Sequence, residues 1–142
     1  MTGQEFGNLL SQLRKTSGMK MVDICADMRC MSDKIYRIEN HNYSANIVKI
    51  LKYIGVLHKT MILTNGKTQY NIYELADFAN WLNTARGDMS FYKLAKITGR
   101  TDGMLSGIAR GKSSVGIDIA LSLVDALGYT VKIEDYDGQK NC

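Results

Sequence analysis

Few side chains in this 142-residue chain have the type and spacing to make or break bonds. Its two histidines, His41 and His58, have no neighbour in sequence that would orient them as general bases. Asp135 and Asp137 form a carboxylate pair, but in a polar terminal stretch where a solvated role is the simpler reading. No G-x-x-x-x-G-K-[ST], H-E-x-x-H or G-x-S-x-G pattern occurs. Zinc sites draw on close pairs such as C-x2-C, whereas Cys25 and Cys30 stand five apart and Cys142 stands alone at the end. The chain is therefore expected to be no enzyme and to hold no metal or cofactor, with Cys25 and Cys30 serving as small core residues.

Cations are the more telling chemistry. Residues 1–72 hold ten Lys/Arg against five Asp/Glu, while residues 73–142 hold eight against nine. A basic half beside a near-neutral half suits a polyanionic partner, although a net surplus of this size is also common on ordinary proteins. Hydrophobic content of 45% with 23% charge suits a chain that buries a core in water. The apolar runs are far shorter than the roughly 20 residues of a membrane span, and Gln4, Glu5 and Asn8 interrupt any secretory run after Met1. A cytoplasmic location without membrane contact is expected.

The elements that would carry these groups recur. Residues 24–40 align without a gap on residues 94–110, an offset of 70. Ile24, Ile35 and Ile38 fall on Leu94, Leu105 and Ile108, and Cys25 falls on Ala95. Such a repeat outranks local propensity in deciding the fold. In the first copy, Phe6, Leu9, Leu10 and Leu13 mark a helix ended by Gly18. Met21, Ile24, Cys25 and Met28 mark a second, and Ile35 and Ile38 a third. Ile47, Ile50, Leu51 and Ile54 mark a fourth, closed by Gly55. The period then changes: strand-like runs flank Asn65-Gly66, which predicts a hairpin over about 57–72.

The second copy repeats the plan. Leu75, Phe78, Ala79, Trp81 and Leu82 begin it, Ser90 and Thr101 cap its second and third helices, and a fourth ends at Gly128. A strand over about 129–134 follows, which needs a partner in a small antiparallel sheet shared between the copies or between two chains. The methionines at 19, 21, 28 and 31 and Trp81 fall at helical spacing and read as core. The expected organisation is a helical unit over 1–56, a hairpin linker over 57–72, and a second unit with strand and polar tail over 73–142.

Two segments carry a resemblance. Ser90-x-x-x-Leu94-Ala95-x-x-x-Gly99-x-Thr101-x-x-x-Leu105-x-x-Ile108-x-x-Gly111, with Leu127-Gly128-Tyr129 after the fourth helix, closely resembles the phage-repressor family of helix–turn–helix proteins, lambda-type and Cro-type. Arg37-Ile38-Glu39-Asn40 looks like that family's ending of the third helix. The resemblance implies a mainly α fold of tandem lambda-repressor-like helix–turn–helix units with a small β element. It implies sequence-specific binding of double-stranded DNA, in a repressor-like transcriptional regulator that acts as a homodimer or an internal pseudo-dimer. Copy one departs at the turn, where Arg29 stands in the place of Gly99; a strained or altered turn is expected there.

Carried over by position, the resemblance puts Ser32, Asp33, Tyr36 and Arg37 at base edges and Lys20, Lys34 and Asn40 at phosphates. Arg37 would pair with guanine N7 and O6 through its planar fork. The plainer alternative is that Arg37 and Lys34 form the solvated face of a short helix. In copy two, Thr101, Asp102, Gly103, Ser106 and Gly107 take the matching places, flanked by Arg100, Arg110 and Lys112, and only backbone-holding chemistry is on offer, from Arg100, Lys112 and Thr101. Gly103 and Gly107, expected on the exposed face of that third helix, give no side chain to a base. A second reading follows from them: a protein–protein module, antitoxin-like or regulatory, on a scaffold that has lost DNA. Tyr43, Tyr70 and Tyr73 could stack on bases, but tyrosines near a linker more often pack on helices.

Overall fold

A computed structural model describes residues 1–41 and 44–136. Expectations for Tyr43, Asp137 and Cys142 lie outside the described residues. In chain order the elements are α1 (Gly3–Ser17), α2 (Met21–Met28), α3 (Ser32–Glu39), α4 (Ile47–Val56), β1 (Lys59–Thr64) and β2 (Gln69–Ile72). There follow α5 (Leu75–Arg86), α6 (Phe91–Thr98), α7 (Asp102–Ala109), α8 (Ile117–Ala126) and β3 (Thr130–Asp135). The fold is mainly helical with one three-stranded antiparallel sheet.

Local chemistry explains the boundaries. Thr2 and Glu5 form a reciprocal capping box on α1, each side chain accepting from the other's backbone N–H at 3.1 Å. Ser90 and Thr101 cap α6 and α7 as expected, accepting from the N–H groups of Lys93 and Met104. Gly18 ends α1 at φ 74°. The helix α4 runs one residue past Gly55, and His58 takes the left-handed position that follows it. The hairpin forms, but around a four-residue loop, 65–68, in which only Gly66 has positive φ. Asn65 acts through its side chain, accepting from the N–H groups of Lys67 and Thr68 at 2.9 and 2.8 Å.

Strand order is β2-β1-β3. The central strand is buried over Thr60–Leu63, as the middle of a covered sheet should be. The strand predicted near 129–134 thus finds its partner within the same chain. In the β1–β3 ladder Ile62 faces Lys132, with Leu63 on Val131 and Met61 on Ile133. Where α4 and α8 begin, Asn46 bridges Gly116. There the N–H of Ile47 donates to the Val115 carbonyl and that of Ile117 to the Ala45 carbonyl, both at 2.8 Å. Both pairings map onto themselves under the 70-residue shift. The hydrogen bonds that join the halves at the 46/116 and 62/132 pairs are thus two-fold symmetric in register.

One continuous apolar core joins Phe6, Ile24, Ile35, Tyr53 and Met61 to Trp81, Leu105, Leu123 and Tyr129. Trp81 packs on Phe78 and edge-on against Tyr129, at ring-centre distances of 5.2 and 5.5 Å. Tyr70 and Tyr73 likewise meet Tyr129 and Tyr136 edge-on. Cys25, Cys30, Met19, Met21 and Met28 pack half-buried against this core. Met31 does not: it is 77% exposed, because it sits at the extended residue before α3 and not on the helix's inner face.

Candidate nucleic-acid interface

The segment α2–turn–α3 is held from beneath by Ile24, Ile35 and Ile38, all buried. Its turn rests on Arg29, whose backbone lies at φ 54°, ψ 46°. The equivalent residue after α6 is Gly99, at φ 71°, ψ 24°. The strain expected from the missing glycine is present: a residue with a Cβ occupies the left-handed region that its counterpart occupies freely.

Successive helical residues turn by about 100°. On α3 this gathers Ile35, Ile38 and Glu39 on the buried side and leaves Ser32, Asp33, Lys34, Tyr36 and Arg37 exposed, with Asn40 continuing the arc. Tyr36 is 45% exposed, and the Arg14 guanidinium stands 5.4 Å from its ring centre. Lys34 lies at the edge of the arc beside Ile38 and approaches Lys49 of α4. Lys20 is exposed at the start of α2. The predicted residues of α3 and Asn40 therefore share one accessible surface, and Lys20 is exposed on a separate element. Asp33 stands on the same surface in the first turn of α3, where the helix dipole favours a negative charge.

The second set is arranged differently. Arg100, Thr101 and Lys112 are exposed, but the Thr101 hydroxyl is engaged in capping α7, and Ser106 is half-buried. Gly107 is buried, contrary to expectation. The N–H groups of Lys112 and Ser113 donate to its carbonyl at 3.1 and 3.2 Å, folding the loop after α7 over it. A Cβ at this position would lie 2.7 Å from Ser113 Oγ. Gly107 is the counterpart of Arg37, so the loop covers the position where the first set shows its arginine. Gly103 is exposed, with nothing within 4 Å of a Cβ built on it.

Sequence reasoning missed the groups that fix α3 in place. Glu39, 2% exposed, accepts two hydrogen bonds from Arg14 at 2.7 and 2.9 Å and one from the Tyr53 hydroxyl at 2.5 Å. Helices α1, α3 and α4 are thereby pinned together. The Glu39 carboxylate raises the Arg14 pKa, and burial, with Glu39 adding, pushes the Tyr53 phenol well above the usual tyrosine range. A signal existed in the repeat: the counterparts are Thr84, Ala109 and Leu123, so three partners vanish together.

No family model, curated protein or solved structure matches this chain significantly.

Proposed function

We propose that the chain is a sequence-specific double-stranded DNA-binding protein, a transcriptional regulator of phage-repressor type. On this reading α2 and α3 form a helix–turn–helix whose third-helix face enters a major groove. Arg37 reads a guanine edge, Tyr36 and Ser32 make neighbouring contacts, and Lys20, Lys34 and Asn40 hold phosphates. Asp33 would accept from a cytosine amine. Arg100, Thr101 and Lys112 hold backbone from the second set, and Ser106 contributes little because it is half-buried. The two-fold relation supports an internal pseudo-dimer, one chain serving where two copies would otherwise pair. The single observation that carries the reading is the shared exposure of Ser32, Asp33, Lys34, Tyr36, Arg37 and Asn40 on a helix rigidly seated by Glu39.

Selection of bound duplex from a random pool tests it. A defined site should emerge, with affinity falling steeply as salt rises. On that site R37A should weaken binding by about ten- to hundred-fold and relax preference at one base pair, a loss of ~1–3 kcal/mol. An unchanged affinity would remove Arg37 from the interface.

A second reading, a protein-binding module without DNA, is favoured by one observation. The surface of α6 and α7 shows Tyr92, Ile97 and Met104 exposed at 63%, 53% and 40%. A mobility-shift assay with random duplex at low salt separates the two: no shift at any protein concentration favours this second reading.

A further inference from the structure

We propose that the cleft between the end of α2, α3 and α4 is a phosphate-binding site built by Arg29, Lys34, Lys49 and Lys52. A cavity of about 160 Å³ opens there. Cys30 and Ile38 contribute to its apolar part, and it is lined by those four cations and no carboxylate. The cations arrive from three places. Arg29 is held by the left-handed turn, Lys34 by the edge of α3, and Lys49 and Lys52 by successive turns of α4. Among the described residues no ion pair uses any of the four. Lys34 comes close enough to Lys49 to hold the latter's ammonium below the usual lysine value.

Like charges brought together without a counter-ion repel, and nothing in the packing of α4 requires lysine at its exposed positions. An anion in the cleft removes that repulsion and accepts hydrogen bonds from all four groups. The repeat supplies an internal comparison. Under the 70-residue shift the four positions become Gly99, Met104, Ile119 and Ser122, the same scaffold without a cation. The set is thus particular to the first copy. Tetrahedral phosphate, free or as an ester, matches converging ammonium and guanidinium donors of this kind. Its source is a free phosphomonoester or the diester of a nucleic-acid backbone. Because Lys34 lies at the margin of the α3 arc, the cleft flanks the face carrying Arg37, and the site stands without the DNA reading.

The test uses the full-length chain, isotope-labelled and titrated with inorganic phosphate against chloride at equal ionic strength. Saturable amide shifts at Arg29, Lys49 and their neighbours are expected, together with a higher Tm. In K49Q/K52Q phosphate affinity should fall by about ten-fold or more. Without phosphate that variant should melt no lower than the parent, which shows it folded. K93Q/K96Q, on the second copy, should leave phosphate binding intact. Shifts that do not saturate, or that persist in K49Q/K52Q, overturn the proposal. A random duplex distinguishes the sources. If K49Q/K52Q weakens duplex binding and phosphate competes with it, the occupant is the diester. If the duplex ignores both, the occupant is a free phosphate. A chain that takes phosphate but no duplex leaves this site standing and removes only the DNA reading.

Discussion

At the scale of single residues, the two copies differ where backbone and burial make a residue expensive. Among the described residues, three non-glycine residues have positive φ: Arg29, His41 and His58. Their counterparts are Gly99, Gly111 and Gly128, all with positive φ. A left-handed residue with a Cβ costs about 1–2 kcal/mol, partly offset for glycine by its greater freedom when unfolded. H58G should therefore stabilise the chain by about 0.5–1 kcal/mol in urea denaturation, and R29G by more, since it also removes a cation from beside Lys34. A loss of stability in both would mean that the side chains earn more through contacts than their backbone forfeits. The buried Glu39 invites the opposite comparison. E39A strands Arg14 and the Tyr53 hydroxyl, so a loss of about 2–4 kcal/mol is expected. The triple change R14T/E39A/Y53L copies Thr84, Ala109 and Leu123 and should be milder than E39A alone. The sign of the pH effect follows from Tyr53. Its folded pKa lies above the ordinary value near 10, so the folded chain keeps this proton longer than the unfolded one. That contribution is complete below pH ~10 and declines as pH rises beyond it. Burial also raises Tyr129, so Y53F should flatten the alkaline decline in denaturation midpoint without abolishing it.

At the scale of elements, periodicity and caps carried most of the fold into the open. Phe6 and Leu10, Ile35 and Ile38, and Leu94 and Ala95 all lie inward as their spacing requires, and Ser90, Thr101 and Gly18 mark ends. What stayed hidden depends on neighbours far along the chain. Glu39 sits in a polar-looking helix ending, yet Arg14, 25 residues earlier, makes its burial tolerable. Gly107 lies on what helical spacing makes an outer face, but the following loop folds back onto it. Of the candidate site, the exposed arc of α3 was legible, whereas Lys49 and Lys52 were not, because their relation to Lys34 is set by the α3–α4 packing. Glycines test this difference between local and remote causes. A Cβ at Gly7 would lie 2.3 Å from the Glu39 carbonyl oxygen, where α1 presses on backbone that cannot swing aside. G7A should cost about 2–3 kcal/mol or more in thermal denaturation. G103A meets nothing and should stabilise α7 by about 0.5–1 kcal/mol. Equal effects at the two positions would refute the helix contact through Gly7.

At the scale of the whole molecule, the two-fold relation is made of hydrogen bonds, and it ties the halves together. β1 from the first half is the middle strand, flanked by β2 and by β3 from the end of the chain. Removing β3 would strip one edge of the strand that holds Met61 and Leu63 in the core. At the opposite end of α4 and α8, the paired amides of Ile47 and Ile117 cross between halves. His41 meets Asp118 across the same junction at 3.1 Å, and the Ser114 hydroxyl meets Asn46 Oδ1 at 2.6 Å. Neither half therefore owns its sheet, its helix starts or its core. Unfolding one half first would leave the other with broken ladder bonds and bare apolar surface, each costly relative to the small net stability of a domain. A single cooperative transition is expected, not two. In scanning calorimetry a 142-residue cooperative unit should absorb roughly 100 kcal/mol near 60 °C, with calorimetric and van't Hoff enthalpies equal. Independent halves would instead give a van't Hoff value near half the calorimetric one, and hydrogen exchange would then show α1–α4 and α5–α8 opening at different free energies. That result would mean the 46/116 bridge and the β1–β3 ladder contribute too little to couple the two halves.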